Sequence, residues 1–222
     1  MIDMEDKQLT EQESLQLIQQ MISRAKNDFV DTGIGPILWG AVISFCSVIQ
    51  FLIIQFGWKL PFDIWMLALA AVIPQIFISV RERRERKAKG WDDDIMGYVW
   101  LCFGIGVFIV NVLNNVTADA FNPLLRDYRE ITGKENIPNF WSYGTSYLLF
   151  VYGYPTIVTG AARKLKLMTA GGIVCWVSAL VSAFTITKFD FLLMAVSTSL
   201  AWLIPGILLR IKYLKGKNVQ HV

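Results

Sequence analysis

Long apolar runs alternate with short polar segments along the chain, and each run is about 20 residues long. A helix of that length crosses a hydrocarbon core of ~30 Å. Lysine and arginine occur only at the edges of these runs. The pattern predicts an all-α, polytopic membrane protein in which residues 33–212 form six transmembrane helices. The predicted spans lie near 34–56, 62–80, 96–115, 140–162, 167–186 and 191–209.

Composition and charge agree with a membrane location. Hydrophobic residues make up 54% of the chain and charged residues 18%, whereas a soluble domain is about 25% charged. The net charge of +3 is too small to indicate a nucleic-acid partner. Of the 21 lysines and arginines, 16 lie before the first span or after an even-numbered span. Because cytoplasmic loops carry such an excess, we expect both termini in the cytoplasm, including a basic tail at 213–222.

A weak internal repeat suggests that the spans form three helical hairpins. Each even-numbered span carries a proline shortly before its basic end, and each odd-numbered span opens with a glycine and a tryptophan. These residues are Pro74, Pro155 and Pro205, and Trp39, Trp100 and Trp176. Parallel repeats of this kind build some membrane bundles. Chance remains an equal explanation, because proline and glycine are common in transmembrane helices.

Residues 1–32 are predicted to contain a cytoplasmic amphipathic helix over 10–30. Thr10 and Glu13 match the capping box that begins many helices. A stripe of apolar side chains follows at helical spacing. Its members are Leu15, Ile18, Ile22 and Phe29. Such a stripe has to be covered, by the lipid surface, by the chain's own loops, by a second copy or by a cytoplasmic protein. The glutamine-rich opposite face favours protein contact over lipid.

The longest predicted outer loop, residues 117–138, contains a signal for a second helix over 122–132. Asn122 is suited to cap its start and Pro123 to occupy its first turn, and Gly133 is suited to end it. We therefore expect the third span to end near residue 115 and this helix to begin separately.

The predicted spans contain neutral polar groups but no ionisable side chain at mid-depth. Their amides and hydroxyls need partners in hydrocarbon. Interhelical hydrogen bonds would supply these partners, and a small polar cavity is the alternative. The residues predicted to line such a cavity are Gln50, Gln75, Asn111, Asn114 and Tyr147.

No catalytic, cofactor-binding or metal-binding residue is predicted. The chain has three cysteines, each within an apolar run, and its one histidine is His221. This supply cannot form a histidine-based metal site or a Ser-His-Asp triad. The acidic triplet Asp92–Asp94 lies close to the basic run 81–89, which it balances, and the chain has no second acidic cluster of the kind that metal-dependent transferases use.

Several segments resemble a group of small inner-membrane proteins of Bacteroidota. They are residues 11–22, Leu38-Trp39-Gly40, Gly171-Gly172-Ile173 and Leu203-Ile204-Pro205-Gly206. The resemblance covers most of the chain and implies six helices in a bacterial inner membrane. Such proteins are often encoded near small winged-helix regulators, which implies a regulatory or stress-related setting. Its motifs carry no known chemistry.

We therefore expect a non-enzymatic integral membrane protein with a regulatory, sensory or scaffolding role. The N-terminal helix would engage a cytoplasmic protein or a second copy in a homo-oligomer. The alternative is a small transporter or channel that moves a neutral or small solute through the region near Asn111 and Asn114.

Overall fold

The computed structural model describes residues 15–16, 32–85, 91–134, 140–185 and 187–219. Within these ranges every element is helical, which confirms the predicted all-α class. The first helices are α1 (Ile34–Phe56), α2 (Met66–Ala70), α3 (Val72–Glu85) and α4 (Trp91–Thr132). They are followed by α5 (Gly144–Ala162), α6 (Lys166–Ser182), α7 (Thr187–Thr198) and α8 (Ile204–Val219). A 3₁₀ turn precedes α5 at Phe140–Tyr143, and a π-helical turn at Ser199–Leu203 joins α7 to α8.

Three helical segments in the described part of the chain are long and apolar enough to cross a membrane. They are Ile34–Phe56, Ile95–Thr132 and Thr187–Lys215. The helix α6 is apolar but shorter, and the predicted second span is interrupted at Ala71, between α2 and α3. These helices are compatible with a membrane protein, and the number of six spans stays a prediction.

The most extensive helix contacts join α5 to α6 and α1 to α7. The helix α6 also packs on α7 and the π-helical turn, and α1 packs on that turn and on α8. The first helix therefore packs against the end of the chain. A buried core including Leu149, Cys175 and Met194 lies where these helices meet. Their packing runs across the boundaries between the predicted hairpins, whose arrangement stays a prediction.

Contact between α6 and the π-helical turn depends on Gly171. A Cβ atom placed there would lie 2.5 Å from Ala201 Cα and 2.7 Å from the carbonyl oxygen of Leu200. Both of these are backbone atoms, so no side-chain movement could make room. Small residues allow helices to approach this closely in membranes.

The third predicted span and the predicted loop helix form one helix, α4, which corrects the expected start at Asn122. Residues 116–121 contain neither glycine nor proline, and two of them are alanines, so nothing in this segment ends the helix. Pro123 lies inside α4, where it costs one backbone hydrogen bond. The predicted end is correct: Gly133 has φ +64°, and its N–H bonds to the carbonyl of Arg129.

Candidate functional site

The residues predicted to line a polar cavity divide between different parts of the bundle. Asn111 is exposed, and its Nδ2 donates to the carbonyl of Val107 at 2.9 Å, within its own helix. Asn114 is 9% exposed and lies against Gly144 at the start of α5. Tyr147, one turn further along, is 50% exposed. The asparagines thus sit in the contact between α4 and α5 or on the surface of α4.

Gln75 belongs to a different contact. Its Oε1 accepts a hydrogen bond from Trp39 Nε1 at 3.1 Å, and its Nε2 donates to Ser79 Oγ at 3.1 Å. Gln50 is half-buried on α1. No hydrogen bond joins any two of the five predicted residues in the described ranges. The hydrogen bond between Gln75 and Trp39 joins two helices, and interhelical bonds were the expected alternative to a polar cavity.

An aromatic cluster occupies the interior instead. Trp100 and Phe103 from α4 meet Tyr152 from α5 and Trp202 from the π-helical turn, with ring centroids 4.9–6.2 Å apart. The indole of Trp202 donates to Thr156 Oγ1 at 2.8 Å. Aromatic rings in these tilted and edge-to-face arrangements pack favourably, and the indole N–H has a partner.

Hydroxyl pairs connect the helices around this cluster. Ser146 on α5 bonds Ser182 on α6, and Ser197 on α7 donates to Ser178 on α6 at 2.9 Å. Ser44 on α1 lies 2.9 Å from the hydroxyl of Thr198. These bonds join α1, α5, α6 and α7 through paired hydroxyl groups.

Asp190, in the first turn of α7, is the ionisable residue that the sequence analysis missed. It has no exposed surface. Its Oδ1 accepts a hydrogen bond from Thr185 Oγ1, whereas its Oδ2 has no hydrogen-bond partner among the described residues. Asp190 lies just before the predicted sixth span, where a loop was expected. Phe189 and Phe191 on either side of it were the signal for burial.

A second buried feature lies where the N-terminal segment enters the bundle, at Thr32 and Gly33, here called the entry joint. Thr32 is 5% exposed, and its hydroxyl donates to Glu82 Oε1 on α3. Gly33 has φ +71°, and a Cβ there would lie 2.4 Å from the carbonyl oxygen of Gly206 on α8. The entry joint therefore contacts two helices from distant parts of the chain.

Only one residue of the predicted partner face can be placed. Leu15 is helical and 59% exposed. Ile18, Ile22 and Phe29 lie outside the described residues. The backbone of Asp92–Asp94 begins α4. Within the described ranges, no group of three or more histidine, cysteine or acidic side chains could hold a metal ion.

In comparisons with family models, curated proteins and solved structures, the chain matches none. Its function is therefore inferred from the entry joint and the buried polar groups.

Proposed function

We propose that this chain is a six-span protein of the bacterial inner membrane, with both termini in the cytoplasm and a non-enzymatic, regulatory or sensory role. In this role the membrane bundle controls the position of the N-terminal helix. That helix engages a second copy of the chain through Leu15, Ile18, Ile22 and Phe29. The resemblance of several segments to the Bacteroidota group, in which winged-helix regulators are often encoded nearby, supports a regulatory setting.

The entry joint is the observation that carries this proposal. Thr32 bonds to α3 and Gly33 packs on α8, so the last residues before α1 are held by two helices rather than by one. A shift of α3 relative to α8 therefore changes the direction in which the preceding segment leaves the bundle. Interfaces packed this closely change between discrete arrangements and do not deform smoothly.

The partner face is tested by Ile18→Asp combined with Ile22→Asp. Each buried apolar side chain of this size contributes about 1.5–3 kcal/mol, so two charges on the stripe should abolish the homo-oligomer. Light scattering of the full-length protein in neutral detergent gives the readout, and membrane insertion should be unchanged.

The matched control is Gln16→Asp with Gln20→Asp, which adds the same charge to the polar face and should leave the assembly intact. If the variant carrying both Ile18→Asp and Ile22→Asp assembles as the parent does, the proposal is contradicted. A parent that is itself monomeric would rule out the second copy and leave a cytoplasmic protein as the partner.

Asp190 favours a second candidate function, movement of protons or small cations through the bundle. A buried carboxylate without a full set of partners is costly, and acidic groups inside membrane bundles often mark ion pathways. The hydroxyl pairs on α1, α5, α6 and α7 supply further oxygen atoms for such a path. The region near Asn111 and Asn114 stays a separate prediction, for a neutral or small solute.

Cation flux into proteoliposomes distinguishes this candidate. Asp190→Asn keeps the acceptor for Thr185 but removes the charge, so it should abolish any flux that the parent supports. Asp63→Asn is the control, because Asp63 is exposed and its carboxylate accepts a hydrogen bond from the backbone N–H of Trp65, which the amide oxygen of asparagine can also accept. Equal proton and sodium flux in the parent, in Asp190→Asn and in empty vesicles would exclude transport.

A further inference from the structure

A groove of about 320 Å³ opens where the turn between α5 and α6 meets the side of α8. Among the described residues, its lining includes three lysines: Lys164 from the turn, Lys166 from the start of α6 and Lys212 from α8. The rest of the lining is apolar and includes Leu167 and Leu208, which are 41% and 53% exposed. An apolar groove bordered by ammonium groups complements a ligand with an acidic head and an apolar tail.

Lys164 occupies a backbone position that favours glycine. Its φ is +55°, and it is the one non-glycine residue with positive φ in the described ranges. Its N–H bonds to the carbonyl of Ala161 at 3.2 Å, and the N–H of Leu165 bonds to that of Gly160 at 2.8 Å. These two bonds form the Schellman ending, in which glycine is usual at this position. The backbone therefore gives no reason for a lysine here.

We propose that this groove binds an anionic phospholipid of the bilayer. The three ammonium groups hold the phosphate, and an acyl chain lies along Leu167 and Leu208. The proposal rests on the proposed membrane location, in which the turn at 163–165 and the end of α8 face the cytoplasmic leaflet. That leaflet carries the anionic lipids, to which basic side chains near the surface are attracted. A lysine at position 164 thus places an ammonium group beside the groove at the cost of backbone strain.

The test is thermal unfolding of the full-length protein in neutral detergent micelles, with dioleoylphosphatidylglycerol or dioleoylphosphatidylcholine added. The anionic lipid should raise the unfolding midpoint with a saturable dependence on concentration, and the zwitterionic lipid should not. Lys166→Gln and Lys212→Gln should each lower the apparent affinity about fivefold.

Lys164→Gly separates binding from folding. Because glycine suits a φ of +55°, this variant should unfold at the same or a higher temperature without lipid, yet bind phosphatidylglycerol about fivefold more weakly. Lys59→Gln, which removes a lysine beyond the far end of α1, is the control and should bind as the parent does.

Three results would overturn the proposal. One is unchanged binding of phosphatidylglycerol by the variant that lacks all three lysines. Another is equal stabilisation by phosphatidylcholine, and the third is an equal shift with inorganic phosphate, which would indicate a soluble anion. Micelles have no leaflets, so this outcome is independent of the orientation and of the partner face in the proposed function.

Discussion

At the scale of single residues, Gly33 is held by both its conformation and its neighbours. Gly33→Ala should destabilise the fold by about 2–5 kcal/mol, because left-handed strain of ~1–2 kcal/mol adds to the cost of overpacking. The clash involves backbone atoms, Gly206 O and Arg210 N, at 2.4 and 2.8 Å from the added Cβ. Unfolding in mixed micelles, monitored by tryptophan fluorescence, measures the change.

Gly57 provides the matched control for this substitution. It has φ +66°, and no heavy atom lies within 4 Å of an added Cβ. Gly57→Ala should therefore lose only the strain term of about 1–2 kcal/mol. Equal losses for the two variants would show that contact with α8 contributes nothing at the entry joint.

Asp190 and Gln75 show how far single residues could be read from the sequence. Polar groups in apolar runs need partners, and Gln75 has them in Trp39 and Ser79. Which helix supplies a partner depends on the packing, and no periodicity in the chain encodes that. Asp190 was missed because an acidic residue beside an apolar run also fits a solvated loop.

At the scale of helices, the contact at Gly171 makes a second prediction. Gly171→Ala should destabilise the bundle by about 1–3 kcal/mol, because the added methyl group meets the backbone of Leu200 and Ala201. Gly104→Ala, on α4, meets no heavy atom within 4 Å and should leave stability unchanged or raise it by up to about 1 kcal/mol. Denaturation in mixed micelles measures the free energy of unfolding of both variants. A loss for Gly171→Ala no larger than that for Gly104→Ala would contradict this packing.

The hydropathy pattern predicted where helices lie more accurately than it predicted where they begin and end. The predicted 34–56 matches α1 in full, because a long apolar run ends at Gly57. Two other boundaries depended on local context. Pro123 was expected at a helix start, where its missing N–H has no cost, but it lies inside α4. Near Pro205 the chain forms a π-helical turn just before α8, and no residue pattern specifies that turn.

At the scale of the whole molecule, orientation is the outstanding prediction. Reporter fusions at both termini should give cytoplasmic activity, and a fusion between Lys134 and Pro138 should give activity outside the cytoplasm. The physical reason is the excess of lysine and arginine in the segments assigned to the cytoplasm. A single compartment for all three reporters would contradict the predicted threading.

Helix pairing at this scale could not be predicted from the sequence. Besides contacts between adjacent helices such as α5 and α6, α1 packs on α7 and α8, and the expected three-hairpin arrangement stays a prediction. Two local contacts hold α1 against the end of the chain. Gly33 packs closely on Gly206, and the hydroxyl of Ser44 lies within hydrogen-bond distance of the hydroxyls of Thr198 and Ser199. Glycine and serine occur in most of the runs, so their presence does not specify which pairs meet.

The pairing of the first helix with the last has a consequence for biosynthesis. Ser44 and Thr198 are 154 residues apart, and at a synthesis rate of about 5–20 residues per second roughly 10–30 s pass before the second exists. During this interval the hydroxyl of Ser44 lacks its partners Thr198 and Ser199, whereas α5 and α6 can pair soon after they emerge from the ribosome. The contacts of α1 with α7 and α8 can therefore form only after the last helix has been synthesised. A nascent chain interrupted before that point leaves the face of α1 that contacts α7 and α8 without its partners.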